Sequence, residues 1–398
     1  MIQLKPDSGI PRAVLFMMAV VGGLTIANLY YNQPLLEVMK SSLHATEMEA
    51  NLITVITQVG YAAGLLFIVP MADMYSRRKI IVSCMTAGSI MLLVIALSPH
   101  IGIVWLASVV LGCCSVVPQI FIPMAGLFSR PENKSRNMGF VLSGLLSGIL
   151  AARVISGYLG GWLGWRLVFC MAAVVMVVCL VVTVRMLPQM PATFHGSYSG
   201  LMKTVRSIFI SHPRIRLNSF RSAMSFGSMM SIWSCMAFHL AGAPFYAGSD
   251  QVGMLGLCGV AGAMAASGVG KYVTRMGILR MSVLGNVLQV LAWTVALMWR
   301  DCYAGLILSI ILVDIGAQCQ QLSNQTGCLH EVPEATNRAN TIFMTSLFIG
   351  GSTGTFCAGL GWDHFGWTGV GCVGIVFTVI SFIVSCYEIL TNGRRQKP

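Results

Sequence analysis

Residues 161–165 read GWLGW, and residues 361–367 read GWDHFGW. Trp162 and Trp362 are 200 positions apart, which is close to half of the 398-residue chain. A motif that recurs at half the chain length indicates two equivalent halves built from the same set of elements. The sequence therefore predicts an internal duplication.

The composition predicts that these halves are embedded in a membrane. Hydrophobic residues make up 56% of the chain and charged residues 10%, against roughly 25% charged residues in soluble domains. The first apolar segment is followed by polar aromatic residues and has no small-residue cleavage site, so it is expected to be retained. Apolar segments of about 20 residues, enough to span a bilayer, lie at 13–35, 50–72, 79–98, 102–126, 138–160, 166–187, 220–243, 250–272, 278–298, 303–327, 339–360 and 366–388.

Twelve segments with a midpoint duplication predict an all-α membrane protein of two six-helix bundles. The expected domains are an N-terminal bundle (1–187), a cytoplasmic linker (188–219) and a C-terminal bundle (220–398). An even number of helices per half gives both halves the same orientation, which is a parallel pseudo-twofold repeat. Within the linker, LMKTVRSIFISHPRIRL (201–217) alternates apolar and basic residues. It is interpreted either as an amphipathic helix on the membrane surface or as a solvated linker.

The distribution of basic residues predicts the orientation. Of the 25 Lys and Arg residues, 21 fall in the segments that share a side with the termini and three in the opposite loops. Cytoplasmic segments are the richer ones in Lys and Arg. We therefore expect a multi-pass protein of the cytoplasmic (inner) membrane with both termini in the cytoplasm. This asymmetry, together with anionic lipid headgroups, accounts for the net charge of +12, so no nucleic-acid partner is predicted.

Neither metal nor enzymatic chemistry is predicted. The 13 cysteines form no CxxC pair and lie in no metal-ligand spacing with histidine. They are interpreted as packing residues, with a thiol sensor at Cys113 and Cys114 as the alternative. The seven histidines are scattered singly, and no GxxxxGK[ST] loop is present. We expect no cofactor, no ATP-driven step and no enzyme.

One loop carries a family resemblance. GLLFIVPMADMYSRRKI (64–80) resembles the loop signature of the major facilitator superfamily, in which an Asp precedes a basic cluster. Together with NLYYNQPLL (28–36) and the stretch 340–370, the resemblance covers the whole chain and is closest to the drug- and metabolite-exporter-like branch. It implies two six-helix bundles that rock about a central site, usually with proton coupling.

The same loop also has a direct electrostatic interpretation. The carboxylate of Asp73 can bind the basic side chains of Arg77 and Arg78 and hold the cytoplasmic side in one state, as a conformational latch. Membrane anchoring by the basic residues is the alternative. In the second half, GKYVTRMGILR (270–280) has Thr274 where the acid would be.

Polar residues at helical spacing occur in the first, fourth, seventh and tenth predicted helices, which are equivalent in the repeat. They predict one central substrate cavity, because such faces avoid lipid. Interhelical hydrogen bonding without a substrate is the alternative for each residue. The candidate cavity residues are Asn28, Tyr31, Asn32, Ser115, Gln119, Ser228, His239, Gln318, Gln321 and Gln325.

Two charges are predicted at membrane depth. Asp314 is the candidate proton carrier, with a permanently paired structural acid as the alternative. Arg153 is interpreted as a helix–helix tie, as a clamp for an anionic substrate or as part of a proton relay. Ala152 and Arg153 stand where antiporters of this superfamily carry a Gly-Pro pair, which is a departure from the exporter pattern.

The predicted function is secondary active transport of a small organic compound by alternating access, coupled to protons and directed outward. A facilitator, an uptake symporter or a sensor with the same fold is the alternative. The expected partners are the small-molecule substrate, protons and membrane lipids, and a monomer is expected to suffice for function.

Overall fold

The computed structural model describes residues 7, 9–188, 197–260, 262, 264 and 276–395, and these form helices, turns and loops. Part of the predicted helix 250–272 and the residue Thr274 lie outside them. The described helices are α1 Arg12–Ile26, α2 Leu36–Ser42, α3 Glu47–Met74, α4 Arg77–Leu97, α5 Ile101–Cys114, α6 Val117–Phe128, α7 Lys134–Leu163, α8 Trp165–Met186, α9 Tyr198–Ser211, α10 Pro213–Ala241, α11 Ser249–Leu255, α12 Ile278–Met298, α13 Tyr303–Glu331 and α14 Thr336–Arg395.

Nine helical stretches within the described residues are long and apolar enough to cross a membrane. One of them, Pro333–Thr391, covers most of α14, whose two arms meet at Gly366, where the backbone takes a positive φ of 57°. α10 is not among the nine, since its serine-rich sequence lowers its hydropathy. The predicted all-helical membrane class is confirmed, and the count of twelve helices stays a prediction.

The chain divides into two compact units. Unit 1 contains Met1–Ala45, Ile56–Thr204 and Ser249–Met254, and unit 2 contains Thr46–Val55, Val205–Gly248 and Leu255–Pro398. The division falls inside α9, and α3 contributes its first turns to unit 2. The boundaries at 187 and 220 stay a prediction.

The linker contains the helix α9. Its apolar residues Leu201, Val205 and Ile208 are buried, whereas Lys203 and Arg206 are exposed. Of the two predicted forms of this linker, residues Tyr198–Ser211 adopt the amphipathic helix. Contact of this helix with the membrane surface stays a prediction.

In unit 1, α1 and α7 cross with their backbones in contact. A Cβ atom added to Gly148 would overlap the carbonyl oxygen of Gly23, and one added to Gly144 would overlap that of Ala19. Small residues four positions apart on both helices allow this approach, as in many membrane helix pairs.

In unit 2, α10 and α14 make the same crossing. A Cβ atom added to Gly354 would overlap the carbonyl oxygen of Gly227, and one added to Gly350 would overlap that of Ala223. These residues lie 204 to 206 positions after their counterparts in unit 1. Recurrence of the crossing supports the duplication predicted from the tryptophans.

We expect Gly354→Ala to lower the stability of the purified protein by about 1–3 kcal/mol, because the added methyl group overpacks the crossing. Gly139→Ala in α7 is the matched control, since nothing lies within 4 Å of its Cβ position. Thermal unfolding in detergent measures both. Equal unfolding temperatures for the two variants would contradict a tight crossing at Gly354.

Candidate functional site

α1 loses regular helical structure directly after its crossing with α7. Single 3₁₀ turns at Ala27–Leu29 and Gln33–Leu35 replace the α-helix up to α2. Irregular backbone at membrane depth is tolerated where protein or a cavity surrounds it. The segment NLYYNQPLL is therefore an interruption in a membrane helix, as the half-helices of transporter sites are.

Three amides in this interrupted segment are buried and incompletely bonded. Asn28, Asn32 and Gln33 are 3%, 3% and 2% exposed. Both amide atoms of Asn28, the Oδ1 atom of Asn32 and the Nε2 atom of Gln33 have no hydrogen-bond partner among the described residues. Leaving such groups unpaired costs roughly 1–3 kcal/mol each. They present two donor groups and two acceptors to a binding partner.

Arg153 is the buried cation beside this segment. Its Nε donates to Oε1 of Gln33 at 2.7 Å, and its guanidinium lies 4.9 Å from the centre of the Tyr30 ring. Arg153 follows Gly148 by five residues on α7, so the crossing with α1 brings it to the interrupted segment. The bond to Gln33 supports the helix–helix tie, while the anion clamp and the proton relay stay predictions.

Three more of the predicted cavity residues, Tyr31, Ser115 and Gln119, lie in unit 1. Tyr31 is half-buried. Ser115 lies between α5 and α6 and donates to the carbonyl of Leu111 at 2.7 Å. Gln119, also half-buried, lies beside the hydroxyl of Tyr61.

Asp314 lies in α13 within unit 2 and is 7% exposed. The Oδ1 atom of Asp314 accepts a hydrogen bond from Nε1 of Trp233 at 3.3 Å. A Cβ atom added to Gly262 would lie only 3.0 Å from the Cβ atom of Asp314. The residue 202 positions earlier is Gly112, where a Cβ would overlap the carbonyl oxygen of Thr57. At this position unit 1 has a glycine packed closely on a neighbouring helix, whereas unit 2 has the carboxyl group of Asp314. Its role as proton carrier stays a prediction.

α13 carries polar residues on two faces. Gln318, Gln321 and Gln325, the predicted stripe, are half-buried, and Gln325 donates to Asn340 at 2.8 Å. The adjacent face is fully buried and was missed from the sequence. On it the side-chain amide of Gln320 donates to Oδ1 of Asn286 at 2.6 Å and to the carbonyl of Ser282 at 2.7 Å.

Ser228 and His239 both have hydrogen-bond partners within unit 2. Ser228 accepts from Nε1 of Trp293 at 2.7 Å and donates to the carbonyl of Gly374 at 2.9 Å. The His239 ring stacks on Trp367 at 4.1 Å, with its Nε2 2.8 Å from the carbonyl oxygen of Arg300. These contacts favour the alternative of helix packing for both residues, and substrate contact by either stays a prediction.

The predicted latch residues are in contact. Nη2 of Arg77 lies 3.2 Å from Oδ1 of Asp73, and its guanidinium lies 5.8 Å from the centre of the Phe128 ring. Arg78 donates to the carbonyl of Val184. The ion pair is therefore present within unit 1, and its action as a latch stays a prediction.

A further buried base, besides Arg77 and Arg153, was missed. Arg221 was counted with the basic residues of the cytoplasmic side, although it lies at the start of the predicted segment 220–243, and it is fully buried. Its Nη1 lies 2.9 Å from Oε2 of Glu388, and its Nε donates to Asn324 at 2.8 Å. Arg153 is thus not the only buried base. The sequence signal was present, because Asn218 and Arg221 lie three positions apart and hydrogen-bond each other on one helix face.

A double-mutant cycle tests the tie between Arg153 and Gln33. We expect Gln33→Leu and Arg153→Met to be coupled by about 1.5–3 kcal/mol in unfolding free energy, as for a hydrogen bond to a charged group. Thermal unfolding of the two single variants and the double variant measures the coupling. Additive effects would exclude the tie.

Comparison with known proteins identifies the family. Residues 16–355 match the family model of the Major Facilitator Superfamily. The chain is 34% identical over 380 residues to "Uncharacterized transporter YgaY" of Escherichia coli O157:H7, covering 96% of each.

Solved structures with low sequence identity share the fold. A single-residue mutant of the nucleoside transporter NupG is 15% identical with a TM-score of 0.76, over 95% of this chain and 99% of that one. A bacterial homologue of the human lysosomal transporter Spinster is 15% identical with a TM-score of 0.74, over 95% and 96%. The chain belongs to the Major Facilitator Superfamily and is a multi-pass membrane transporter.

Proposed function

We propose that the protein is a secondary active transporter that exports a small polar organic compound through the cytoplasmic membrane by alternating access, in exchange for protons. It acts as a monomer among membrane lipids, with both termini in the cytoplasm.

One observation carries the substrate assignment. The buried amide groups of Asn28, Asn32 and Gln33 that lack partners lie in the interrupted first helix. Buried polar groups are nearly always hydrogen-bonded in folded proteins, so these groups are suited to a ligand that supplies both donors and acceptors. A compound with amide, hydroxyl or heterocyclic nitrogen groups fits that requirement better than a purely apolar one.

The proton coupling is assigned to Asp314. This acid is 7% exposed and accepts a hydrogen bond from Nε1 of Trp233. A carboxyl group at membrane depth is a functional candidate by default. Export rather than uptake follows from the resemblance to the exporter-like branch, and Ala152 and Arg153 in place of Gly-Pro are the departure from it.

A facilitator or an uptake symporter is the second candidate. The residue 202 positions before Asp314 is Gly112, which packs closely against Thr57 in unit 1, and this supports a structural acid with no proton cycle as the specific alternative. Such a protein would carry substrate downhill without a response to pH. A sensor would bind substrate and carry none.

Transport in proteoliposomes with an imposed pH gradient tests the proposal. The panel contains lipophilic cations, organic anions and neutral metabolites, including a nucleoside. We expect the wild type to accumulate one of these classes against its gradient. Asp314→Asn, which keeps the oxygen that accepts from Trp233, is expected to lose accumulation and to retain counterflow.

Asp301→Asn is the matched control, because Asp301 is an exposed acid whose side chain is 62% accessible. It should accumulate substrate like the wild type. Full gradient dependence in Asp314→Asn would exclude Asp314 as the carrier. Downhill flux with no proton response in the wild type would favour the facilitator.

A further inference from the structure

Unit 2 contains an apolar cavity that the transport proposal does not use. Its volume is about 450 Å³, within the range of roughly 300–1,000 Å³ that ligand pockets occupy. It lies where the end of α9 and the first half of α10 meet α14. The lining includes Phe209, Phe220, Met224 and Ile349, with Arg216 as its charged residue.

The wall of this cavity offers almost no hydrogen bonds to a ligand. Ser346 donates to the carbonyl of Ile342 at 2.9 Å, and Thr353 donates to that of Ile349 at 2.7 Å. Ser219 is engaged with the sulfur of Cys328. The lining hydroxyls are therefore directed into the protein's own helices, so the cavity is suited to a hydrocarbon chain rather than to a polar metabolite.

Arg216 places a positive charge at one end of the cavity. Its side chain is exposed and has no ion pair or hydrogen bond among the described residues. A guanidinium next to an apolar cavity favours an anion that can form paired hydrogen bonds with it, as a phosphate does.

The distance along α10 from the charge of Arg216 to the far end of the cavity at Met224 is close to the hydrocarbon thickness of one lipid leaflet. Arg216 is three residues inside α10, and Met224 is eight residues further along. Eight residues of α-helix span about 12 Å, close to half of the roughly 30 Å hydrocarbon core. Phe220 and Ile349, 46% and 54% exposed, leave the cavity open to the side.

We propose that this cavity is a binding site for an anionic phospholipid, with an acyl chain between α10 and α14 and the phosphate on Arg216. The inference rests on the membrane fold and not on the identity of the transported compound. The crossing of Ala223 with Gly350, both in the lining, forms the floor of the site. A bound lipid would therefore stabilise the helix pair on which unit 2 is built.

Native mass spectrometry of the full-length protein from nanodiscs tests the site. The nanodiscs contain equal amounts of palmitoyl-oleoyl phosphatidylglycerol and phosphatidylcholine. We expect one phosphatidylglycerol to remain bound to the wild type at activation energies that remove other lipids. In Arg216→Gln this retention should fall about fivefold, the effect of one basic residue near anionic lipid.

Three further variants separate charge, space and fold. Arg216→Lys keeps the charge and should retain the lipid, whereas Ser346→Phe fills the cavity and should lose it. Arg214→Gln is the matched control, because Arg214 is exposed, lies two residues away and is not in the lining; it should behave like the wild type.

Equal retention of the two phospholipids by the wild type would overturn the proposal, as would equal loss in Arg214→Gln and Arg216→Gln. Retention of a free fatty acid in place of phosphatidylglycerol would overturn the phosphate assignment. None of these measurements depends on transport, so their failure would leave the proposed function untouched.

Discussion

Gly148 of α7 lies against Gly23 of α1 so closely that neither glycine can carry a side chain. Such contact between helix backbones replaces the hydrophobic effect, which does not drive association within a lipid bilayer. In unit 1 it fixes where the continuation of α7 meets the interrupted part of α1, and so brings Arg153 to Gln33 and Tyr30. The crossing glycines Gly148 and Gly354 are 206 positions apart in the sequence. The same offset applied to Arg153 gives Gly359, so unit 2 has a glycine where unit 1 has this arginine. The duplicated crossing thus places a buried cation beside the interrupted helix in unit 1 and a glycine at the matching position in unit 2.

Buried polar side chains in the described residues differ in how completely they are hydrogen-bonded. In unit 2, Gln320, Asn286 and Arg221 belong to buried hydrogen-bond networks with several partners each. In unit 1, the amides of Asn28 and Asn32 are buried without such a network. A low dielectric makes a satisfied network rigid and an unsatisfied one costly. The amides of Asn28 and Asn32 in the interrupted helix are therefore the groups whose bonding a substrate would complete under the proposed function.

The fold could be predicted from the sequence because it depends on composition, segment length and a repeat, all of which are local or countable. GWLGW and GWDHFGW indicated the duplication, and Asp73 with Arg77 indicated an ion pair across the short loop between α3 and α4. Partners far apart in the sequence could not be predicted, because they depend on the crossing geometry of the helices. Helical spacing selected Gln318, Gln321 and Gln325 on α13, whereas the face with Gln320 has similar spacing and is the one buried in the network. Arg221 was counted with the cytoplasmic bases because it is the second residue of the predicted segment 220–243, and helix ends are uncertain by about one or two residues.

The central claim is that the polar groups of the interrupted helix lack partners because they serve a substrate. Comparing Asn28→Leu with Asn286→Leu in the substrate-free protein tests it most directly, since both asparagines are buried but only Asn286 has both amide atoms bonded. We expect Asn28→Leu to raise the thermal unfolding temperature and to abolish substrate binding, because it removes unpaired polar groups at a cost to function. Asn286→Leu should lower the unfolding temperature. Destabilisation of the substrate-free protein by Asn28→Leu to the same extent as by Asn286→Leu would contradict the account.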